Sequence, residues 1–364
     1  MKRWLKLTLC LLALVFLMAC ELQTLYLEAY IESNQEALDT PIGSDGSPVT
    51  FEVRPGQSIE EIAGNLKAHH LIADTELFRR YVQVEHLDAG IQAGTYELRQ
   101  TMTIPEIAQA LQTALAPEQQ VTIPEGKRME EVAEIVAEQT GIPSADFLQM
   151  AQSGWRGTTV VQSYTFLAHI PLTGTLEGFL FPDTYRLPLD AAAIDLIDRM
   201  LENFDRQVTP EIQESFAQYD MTLYEGITLA SLVEREAVVD AERPVIAGVY
   251  HNRVVDGWFL SACPTVQYAL GYRPDEESWW QRFLLFEDLD IESPYNTYLH
   301  LGLPPGPIAS PGFSAIQAAA HPAETEFYFF MVDCSKEDSS HLFAVSENEH
   351  LTNFARCGGV ITSP

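Results

Sequence analysis

Basic residues are scarce in this sequence. The 364 residues include 21 Lys and Arg against 52 Asp and Glu, which gives a formal net charge of -31 at pH 7. The acidic residues are spread along the chain and are not gathered in one tail. A chain of this charge repels polyanions, so the sequence predicts a protein that does not bind nucleic acid.

Cysteine is also scarce, and no cysteine or histidine spacing is typical of a metal site. The five cysteines lie at positions 10, 20, 263, 334 and 357. We therefore expect neither a metal nor another cofactor. The spacing leaves open whether Cys334 and Cys357 form a disulfide, because connectivity does not follow from spacing alone.

The sequence has no long apolar run at its N-terminus. Basic residues within the first six positions precede an apolar run from Leu7 to Ala19, which is shorter than the roughly 20 residues of a membrane span. This pattern is typical of a secretory signal. The run ends at Cys20 in a sequence that resembles the lipobox of bacterial lipoproteins, whose cysteine is lipidated. The alternative is an uncleaved membrane helix that continues past Glu21. Both interpretations predict a body tethered to the membrane on its extracytoplasmic side.

An internal repeat follows a polar segment. Residues 21–48 are mostly polar toward their end, with Pro and Gly, and predict a linker. Residues 53–66 and 123–136 then share an apolar segment, a turn with Pro and Gly, and apolar residues at helical spacing. In the first copy these apolar residues are Ile59, Ile62, Ala63 and Leu66. The repeat predicts two strand, turn and helix units.

The segment from Leu176 to Tyr185 places one carboxylate among bulky apolar residues. We expect Phe179 and Phe181 to exclude water from Glu177, which would raise its pKa toward the value that suits a general acid near neutral pH. Gly178 is expected to leave space in which a ligand can approach. This environment makes Glu177 the candidate catalytic acid.

The same decapeptide resembles the signature of the endolytic murein transglycosylase family, the YceG-like proteins, in which the glutamate of an L-E-G-aromatic-x-aromatic-P-D-T stretch is catalytic. Four further segments resemble the family in the same order, at residues 230–237, 242–252, 293–312 and 341–350. Together these segments cover roughly the last half of the chain, and a weaker resemblance extends back to about residue 50.

The resemblance implies an α+β fold. An N-terminal anchor at residues 1–20 and a linker at 21–48 would precede a small LysM-like module of strands and helices at 49–118. A mixed α/β, YceG-like catalytic domain would occupy 119–364, and its start repeats the LysM-like pattern. LysM modules bind N-acetylglucosamine polymers, so this resemblance implies wall binding; the alternative is a packing module that only spaces or orients the enzyme.

The function implied by the resemblance is cleavage within peptidoglycan glycan strands. The bond between N-acetylmuramic acid and N-acetylglucosamine would be cut to leave a 1,6-anhydromuramoyl end, with Glu177 as general acid and then base. One carboxyl suffices because the substrate's own C6 hydroxyl is the nucleophile, whereas a hydrolase needs a second carboxylate. Cell-wall synthases are further implied partners. The alternatives are a water-using muramidase, which would pair Glu177 with Asp183 or Glu234, and a wall-binding scaffold without catalysis.

Glu234 lies on a helix that the sequence marks clearly. Thr222 and Glu225 form a capping box at its start, and Glu234 continues the apolar row of Leu223 and Ile227. A carboxylate on a buried face needs a partner, for which the candidates are Arg243, Asn252 and Arg253. Glu234 would then brace the core or contact substrate. Glu236 falls on another face and is expected to be solvated.

A rigid loop near the C-terminus has the composition of a sugar site. Residues 293–307 combine prolines and glycines with Tyr295, Asn296 and Thr297, whose ring, amide and hydroxyl groups suit a saccharide. The alternative is a structural loop that satisfies these groups internally. Where the family commonly has Q-S-D-P-T, residues 261–265 give Cys263 at the position of the acid, followed by Thr265. The candidate substrate-binding or supporting residues are Glu234, Tyr295, Asn296, Thr297, Thr265 and Asp183.

Overall fold

A computed structural model describes residues 25–114 and 118–358 of the chain. The chain divides into two compact units, residues 1–117 and 118–364. Both combine helices with two-stranded antiparallel sheets. The predicted signal sequence and Cys20 lie outside the described residues. Across the two described ranges, no helix combines the length and the apolar character that a membrane crossing requires.

The described part of the N-terminal unit begins inside the predicted linker. Residues 25–33 are helical, and Leu38 is buried in the core of this unit. The end of the predicted linker is therefore folded, because an apolar side chain in it packs against the unit. The elements, in order, are α1 (Gln35–Asp39), β1 (Val49–Val53), α2 (Ile59–Ala68), α3 (Thr75–Val84), β2 (Gly94–Leu98) and α4 (Ile104–Ala110).

The first copy of the repeat forms the centre of this unit. β1 and β2 pair in antiparallel register, with Phe51 opposite Tyr96. The turn after β1 uses Gly56 at a φ of 82°, a left-handed conformation that favours glycine. Ser58 then caps α2 in a capping box with Glu61. The predicted strand, turn and helix are confirmed, and the LysM-like identity of this unit stays a prediction.

The C-terminal unit is mostly helical, and its helices pack with two small antiparallel sheets. Two of its antiparallel strand pairs, β3 with β4 and β5 with β6, lie within it. The elements, in order, are β3 (Glu118–Thr122), α5 (Met129–Gln139), α6 (Ser144–Gln152), α7 (Val160–Ser163), β4 (Thr184–Pro188), α8 (Ala193–Gln207), α9 (Pro210–Ala217), α10 (Leu223–Glu236), α11 (Arg243–Val255), α12 (Cys263–Leu270), α13 (Phe313–Ala320), β5 (Phe329–Val332), β6 (His341–Ala344) and α14 (Glu347–Arg356).

The second copy of the repeat opens this unit. β3 pairs antiparallel with β4, and Val121 lies opposite Tyr185. Gly126 takes a φ of 73° in the turn before α5. The repeat thus extends beyond its strand, turn and helix, since each copy continues with a second helix and a returning strand, and the second copy adds the short helix α7 between them. Glu177 lies in the long connection between α6 and β4.

Helix α10 lies at the centre of the core. It packs against α11 and α13, and its predicted capping box is present, with the Thr222 hydroxyl accepting from the Glu225 amide. Leu223, Ile227 and the following apolar row are buried, as the spacing predicts. An isolated helix of this length is marginal in water, so burial of its apolar side chains stabilises it.

A C-terminal hairpin packs with α14. Val332 of β5 pairs with His341 of β6. Cys334 and Cys357 form a disulfide, with their Cα atoms 5.5 Å apart, so the alternative that spacing left open is decided. This bond joins the hairpin turn to the end of α14.

Candidate active site

Glu177 is buried, with 3% of its surface exposed. Its Oε2 accepts a hydrogen bond from the backbone amide of Met129 at 3.0 Å and from the Tyr268 hydroxyl at 3.3 Å. Oε1 is buried and has no hydrogen-bond partner within residues 25–114 and 118–358. The protein therefore holds one carboxyl oxygen of Glu177 in place and leaves the other without a hydrogen bond.

The environment raises the pKa of Glu177 to about 8. Burial is the main cause, because it disfavours the charged form, and the nearby Glu130 carboxylate adds to it. The Met129 amide, the Arg128 guanidinium and the Tyr268 hydroxyl act in the opposite direction. The expectation of a desolvated carboxyl group with a raised pKa is confirmed, and near neutral pH the group can both give and take a proton.

The N-terminus of α5 points at this carboxylate. Met129 is the first residue of the helix, so its amide has no partner within the helix and carries the positive end of the helix dipole. The preceding residue, Arg128, has only 5% of its surface exposed. Its Nε donates to Glu130 Oε2 at 2.7 Å, and its Nη2 donates to Oε1 at 3.2 Å. Glu177 thus lies beside a helix N-terminus and beside an arginine whose charge is balanced by Glu130. Neither forms a direct ion pair with it.

Aromatic rings continue from the buried glutamate toward solvent. The Arg128 guanidinium lies 4.2 Å from the ring centre of Tyr268 and 4.7 Å from that of Trp279. Trp279 in turn contacts Tyr272, with ring centres 5.2 Å apart, and 45% of the Tyr272 surface is exposed. Tyr268, Arg128, Trp279 and Tyr272 thus lie in a row, with the guanidinium between the aromatic rings. Flat aromatic faces beside an acid suit the ring faces of sugars.

Gly178 does not leave space for a ligand, so that expectation is wrong. Its φ is 82°, and a Cβ at this position would lie 2.4 Å from the Cβ of Pro307 and 3.1 Å from Cγ2 of Ile227. The protein itself fills the space. Glycine is needed here for a left-handed turn and for the close approach of the 293–307 loop.

Tyr295 is the predicted substrate-binding residue that lies beside the glutamate. Its ring centre is 4.8 Å from that of Tyr268. Burial, with further contributions from Tyr224 and Glu177, raises the pKa of Tyr295 to about 12. Tyr295 therefore keeps its proton at neutral pH and remains a hydrogen-bond donor.

Asn296, Thr297 and Thr265 satisfy one another and the backbone. The Asn296 amide group donates to the carbonyls of Leu289 and Ile291 at 2.8 and 3.0 Å. The hydroxyls of Thr265 and Thr297 lie 2.9 Å apart, and all three residues are buried. Asn296 and Thr297 lie inside the loop, Thr265 lies on α12, and none of the three contacts Glu177. These contacts favour the structural alternative for the loop.

Glu234 pairs with Arg243, one of its three predicted partners. Its Oε2 lies 3.1 Å from Arg243 Nη1 and accepts from the Gly312 amide at 3.2 Å. Burial raises the pKa of Glu234 to about 6, although Arg243 opposes this shift. These contacts fit an ion pair that braces the core.

Asp183 anchors the segment that follows the candidate acid. Its Oδ1 accepts from the Thr184 amide at 2.7 Å, and its Oδ2 accepts from Asn203 Nδ2 at 2.9 Å. Both oxygens are therefore used to hold the turn before β4 against α8.

The expectation that Glu236 is solvated is wrong. Only 6% of its surface is exposed, and its Oε1 accepts from the Tyr250 hydroxyl at 2.7 Å. Tyr250 lies on α11, which packs across α10 and covers this face. Helical spacing shows which residues share a face, but it does not show that two faces are covered.

Cys263, at the position of the family's acid, does not contact Glu177. Its Sγ lies 3.3 Å from the Tyr298 hydroxyl, and burial raises the pKa of the thiol to about 11. The side chain lines a separate cavity together with Glu236. The change at this position therefore leaves the described contacts of Glu177 in place.

Sequence reasoning missed Arg128, Met129, Tyr268 and Trp279. One signal was present for Arg128, since it takes the place that Ser58 has in the first copy, and a helix that starts without a polar cap needs another partner for its amides. Tyr268 and Trp279 gave no such signal, because the contact of Tyr268 with Glu177 and that of Trp279 with Arg128 depend on packing of distant segments.

Comparisons with known proteins identify the family of this chain. Residues 51–356 match the YceG-like family. The chain is 31% identical over 327 residues to the endolytic murein transglycosylase of Bacillus subtilis, covering 86% of each chain. It is 28% identical over 341 residues to the protein of the same name from Streptococcus pneumoniae, covering 88% of this chain and 61% of that one. A crystal structure of a YceG-like protein from Listeria monocytogenes superposes with a TM-score of 0.56 at 28% identity, over 85% of this chain and 99% of that one. This chain belongs to the YceG-like family.

Proposed function

We propose that this protein is a lytic transglycosylase that cleaves the glycan strands of peptidoglycan, with Glu177 as its sole acid and base. Relatives that match most of the chain are named endolytic murein transglycosylases. The observation that carries the proposal is the buried carboxyl group of Glu177, with Oε2 held and Oε1 unengaged. Its raised pKa is that of a general acid at neutral pH.

The first step is proton donation from Glu177 to the oxygen that links N-acetylmuramic acid to N-acetylglucosamine. We assign this step to Oε1, because Oε2 is held by the Met129 amide. The bond from the muramic C1 to that oxygen breaks, and positive charge develops at C1. The carboxylate that forms is stabilised by the Met129 amide and the Tyr268 hydroxyl.

The second step returns the proton. The Glu177 carboxylate takes it from the C6 hydroxyl of the same muramic residue, and O6 bonds to C1 to close a 1,6-anhydro ring. No water is consumed and the acid is regenerated. A pKa close to the working pH suits a group that acts first as acid and then as base.

The contacts of the other carboxylates argue against a water-using muramidase. Such an enzyme needs a second carboxylate across the scissile bond to act on water or as nucleophile. Asp183 is bound to Asn203 and Glu234 to Arg243. Glu130, the carboxylate that acts most strongly on Glu177, is held by Arg128.

Analysis of the glycan ends formed on purified sacculi tests the proposal. We expect the full-length protein to release fragments that end in 1,6-anhydromuramic acid. Ordinary reducing ends would show a muramidase, and no release by a folded protein would show a wall-binding scaffold. Glu177→Gln should abolish release and keep the wild-type circular dichroism spectrum, whereas Glu214→Gln, at an exposed position of α9, should cleave normally.

The proposed substrate places the body of the protein outside the cytoplasm. The disulfide between Cys334 and Cys357 supports this location, since such bonds persist in oxidising compartments. We propose a membrane tether at the N-terminus, through lipidated Cys20 or an uncleaved helix. Mass spectrometry of the mature N-terminus distinguishes them, because an intact Met1 excludes the lipoprotein. Wall binding by the LysM-like unit and association with cell-wall synthases stay predictions.

A further inference from the structure

A cavity of about 420 Å³, which Glu177 does not line, lies in the C-terminal unit. Aromatic and aliphatic side chains of the β5–β6 hairpin and α14 form much of its wall, including Phe329, Phe330 and Phe354. Glu236 and Arg253 line the same cavity from α10 and α11. This combination of apolar walls, a few polar groups and this volume is typical of a small-ligand site.

Two elements connect this cavity to Glu177. Helix α12 places Cys263 in the cavity wall and Tyr268 against Glu177, and five residues of helix span only about 7.5 Å. The loop after α12 does the same, with Tyr298 in the cavity wall and Tyr295 beside Tyr268. Five positions turn a helix by about 500°, so Cys263 and Tyr268 face different sides of α12. A group bound in the cavity would therefore lie across this helix, which is about 10 Å wide, from the carboxyl group of Glu177.

Glu347 also lines the cavity, but Glu236 and Arg253 are the charged side chains that its floor holds, and they are not paired with each other. No ion pair within 4.0 Å joins Glu236 to Arg253 in the described part of the chain. The two are close enough that Arg253 acts to lower the pKa of Glu236 and Glu236 acts to raise the pKa of Arg253. Glu236 uses Oε1 to accept from Tyr250, and Arg253 uses Nε and Nη1 for the carbonyls of Tyr328 and Leu260. The remaining atoms, Glu236 Oε2 and Arg253 Nη2, have no protein hydrogen bond among residues 25–114 and 118–358.

A third polar atom in this cavity also has no protein partner. His350 lines the wall, and its Nδ1 is buried without a hydrogen-bond partner in the part of the chain that the structure describes. Buried polar atoms are rarely left unpaired, and water or a ligand is the usual partner of those that are. The cavity thus offers a negatively charged hydrogen-bond acceptor, a positively charged hydrogen-bond donor and an imidazole nitrogen. All three lie among apolar walls.

We propose that this cavity binds the peptide attached to the glycan strand, through a residue that carries both an ammonium and a carboxylate group. The ammonium would contact Glu236 and the carboxylate would contact Arg253, which completes a set of charges that the protein leaves unpaired. The aromatic walls cover the aliphatic part of the peptide. This inference rests on the proposed peptidoglycan substrate, and it makes the peptide a determinant of which strands are cleaved.

Calorimetric titration with a defined peptide tests this inference without reference to catalysis. The probe is the tripeptide L-alanyl-γ-D-glutamyl-meso-diaminopimelate, whose last residue carries an ammonium and a carboxylate on its distal carbon. The same tripeptide with that amine acetylated is the matched probe. We expect the full-length protein to bind the free amine at least tenfold more tightly than the acetylated peptide.

Variants locate the binding in the cavity. Glu236→Gln should weaken binding of the free amine about tenfold and leave binding of the acetylated peptide unchanged. Only the free amine carries the ammonium charge that the Glu236 carboxylate would bind. Cys263→Phe fills the cavity and should weaken binding of both. Glu214→Gln and Glu177→Gln should bind like the wild type, and thermal unfolding shows that each variant is folded.

Two results would overturn the inference. One is the absence of tripeptide binding by the folded wild-type protein; the other is equal affinity in the wild type and in folded Cys263→Phe. Failure of the proposed function looks different, since a protein that binds the tripeptide but releases nothing from sacculi retains the peptide site and loses only the catalytic assignment.

Discussion

The two copies of the repeat share a backbone plan but differ in what they do with it. In the first, β1, α2, α3 and β2 follow one another within residues 49–98; in the second, β3, α5, α6 and β4 occupy 118–188. Each closing strand carries a tyrosine whose hydroxyl contacts the carbonyl four residues earlier, Tyr96 with Gln92 and Tyr185 with Phe181. The copies therefore resemble each other in local hydrogen bonding as well as in topology.

The copies differ at the start of the first helix. In the first copy Ser58 is exposed, and its hydroxyl accepts from the Glu61 amide. In the second copy the same position is Arg128, which is buried and whose side chain cannot accept a hydrogen bond. The amide that follows, that of Met129, binds the Glu177 carboxylate instead.

The copies also differ between the second helix and the closing strand. Residues 85–93 make this connection in the first copy, and residues 153–183, which include Glu177, make it in the second. A helix N-terminus that a local serine caps in one copy thus receives a remote carboxylate in the other. A long connection and one lost cap thus distinguish the copy that carries the candidate acid site from the copy that lacks it.

The largest effect is expected for the carboxylate itself. Glu177→Gln should lower the cleavage rate by a factor of about 10²–10⁴, the usual contribution of a general acid. In the wild type, kcat/KM should fall as the pH rises through about 8, because the acid loses its proton. Rates of fragment release between pH 5 and 10 check both expectations, and activity that does not fall above pH 8 would contradict the role of Glu177 as acid.

The same variant should change how stability depends on pH. The folded pKa of about 8 lies above the ordinary 4.5, so the folded protein holds a proton that the unfolded chain releases, and the free energy of unfolding falls between pH 4.5 and 8. Glu177→Gln removes this loss, which the linkage limits to about 4–5 kcal/mol. Denaturant unfolding at pH 5 and 9 measures it, and parallel pH profiles for the two proteins would contradict the prediction.

Arg128→Ser gives the second copy the cap residue of the first. We expect kcat/KM to fall about tenfold to a hundredfold. The variant loses the charge-assisted contact of Arg128 with Glu130 beside the acid, and such a contact is worth about 1.5–3 kcal/mol. The alkaline decline of activity should also move to higher pH, because Arg128 lowers the pKa of Glu177. The pH profile separates this effect from simple destabilisation.

The matched variant in the first copy is Ser58→Ala. It removes only a local cap, so it should lower the free energy of unfolding by about 1 kcal/mol and leave the cleavage rate unchanged. A loss of activity in Ser58→Ala equal to that in Arg128→Ser would remove the distinction drawn between the two helix starts.

Two glycines with the same φ of 82° distinguish a free turn from a packed one. Gly178→Ala should destabilise the protein by about 2–4 kcal/mol, because strain in the left-handed region adds to a clash with Pro307. Gly56→Ala meets no atom within 4 Å and should cost about 1 kcal/mol. Denaturant unfolding of both variants checks the order, and equal losses would show that Pro307 moves away.

The two tyrosines of the closing strands should give small effects. Tyr185→Phe and Tyr96→Phe each remove a buried hydroxyl and should cost about 1–2 kcal/mol. Only Tyr185→Phe should also lower the cleavage rate, because Tyr185 holds the Phe181 carbonyl and Asn203 next to the segment that carries Glu177. Initial rates measured well below the unfolding temperature check this, and a reduced rate in Tyr96→Phe would contradict it.

The sequence by itself determined the features that depend on neighbours along the chain. The repeat, the capping box of Thr222 and Glu225, and the apolar surroundings of Glu177 all follow from residues a few positions apart. Helical spacing also predicted that Glu234 faces the interior and needs a partner, and Arg243, one of the three candidates, supplies it. Hydrogen bonds and periodicity over short separations are fixed by backbone geometry, which a sequence pattern records directly.

Only the tertiary structure decided which groups meet at the candidate site. Met129 and Tyr268 reach Glu177 from 48 and 91 residues away, Pro307 fills the space beside Gly178, and the polar groups of Asn296 and Thr297 turn inward. The burial of Glu236 has the same origin, since a second helix covers its face. These outcomes depend on how distant surfaces pack at close to crystal density, and no local pattern in the chain records which surfaces those are.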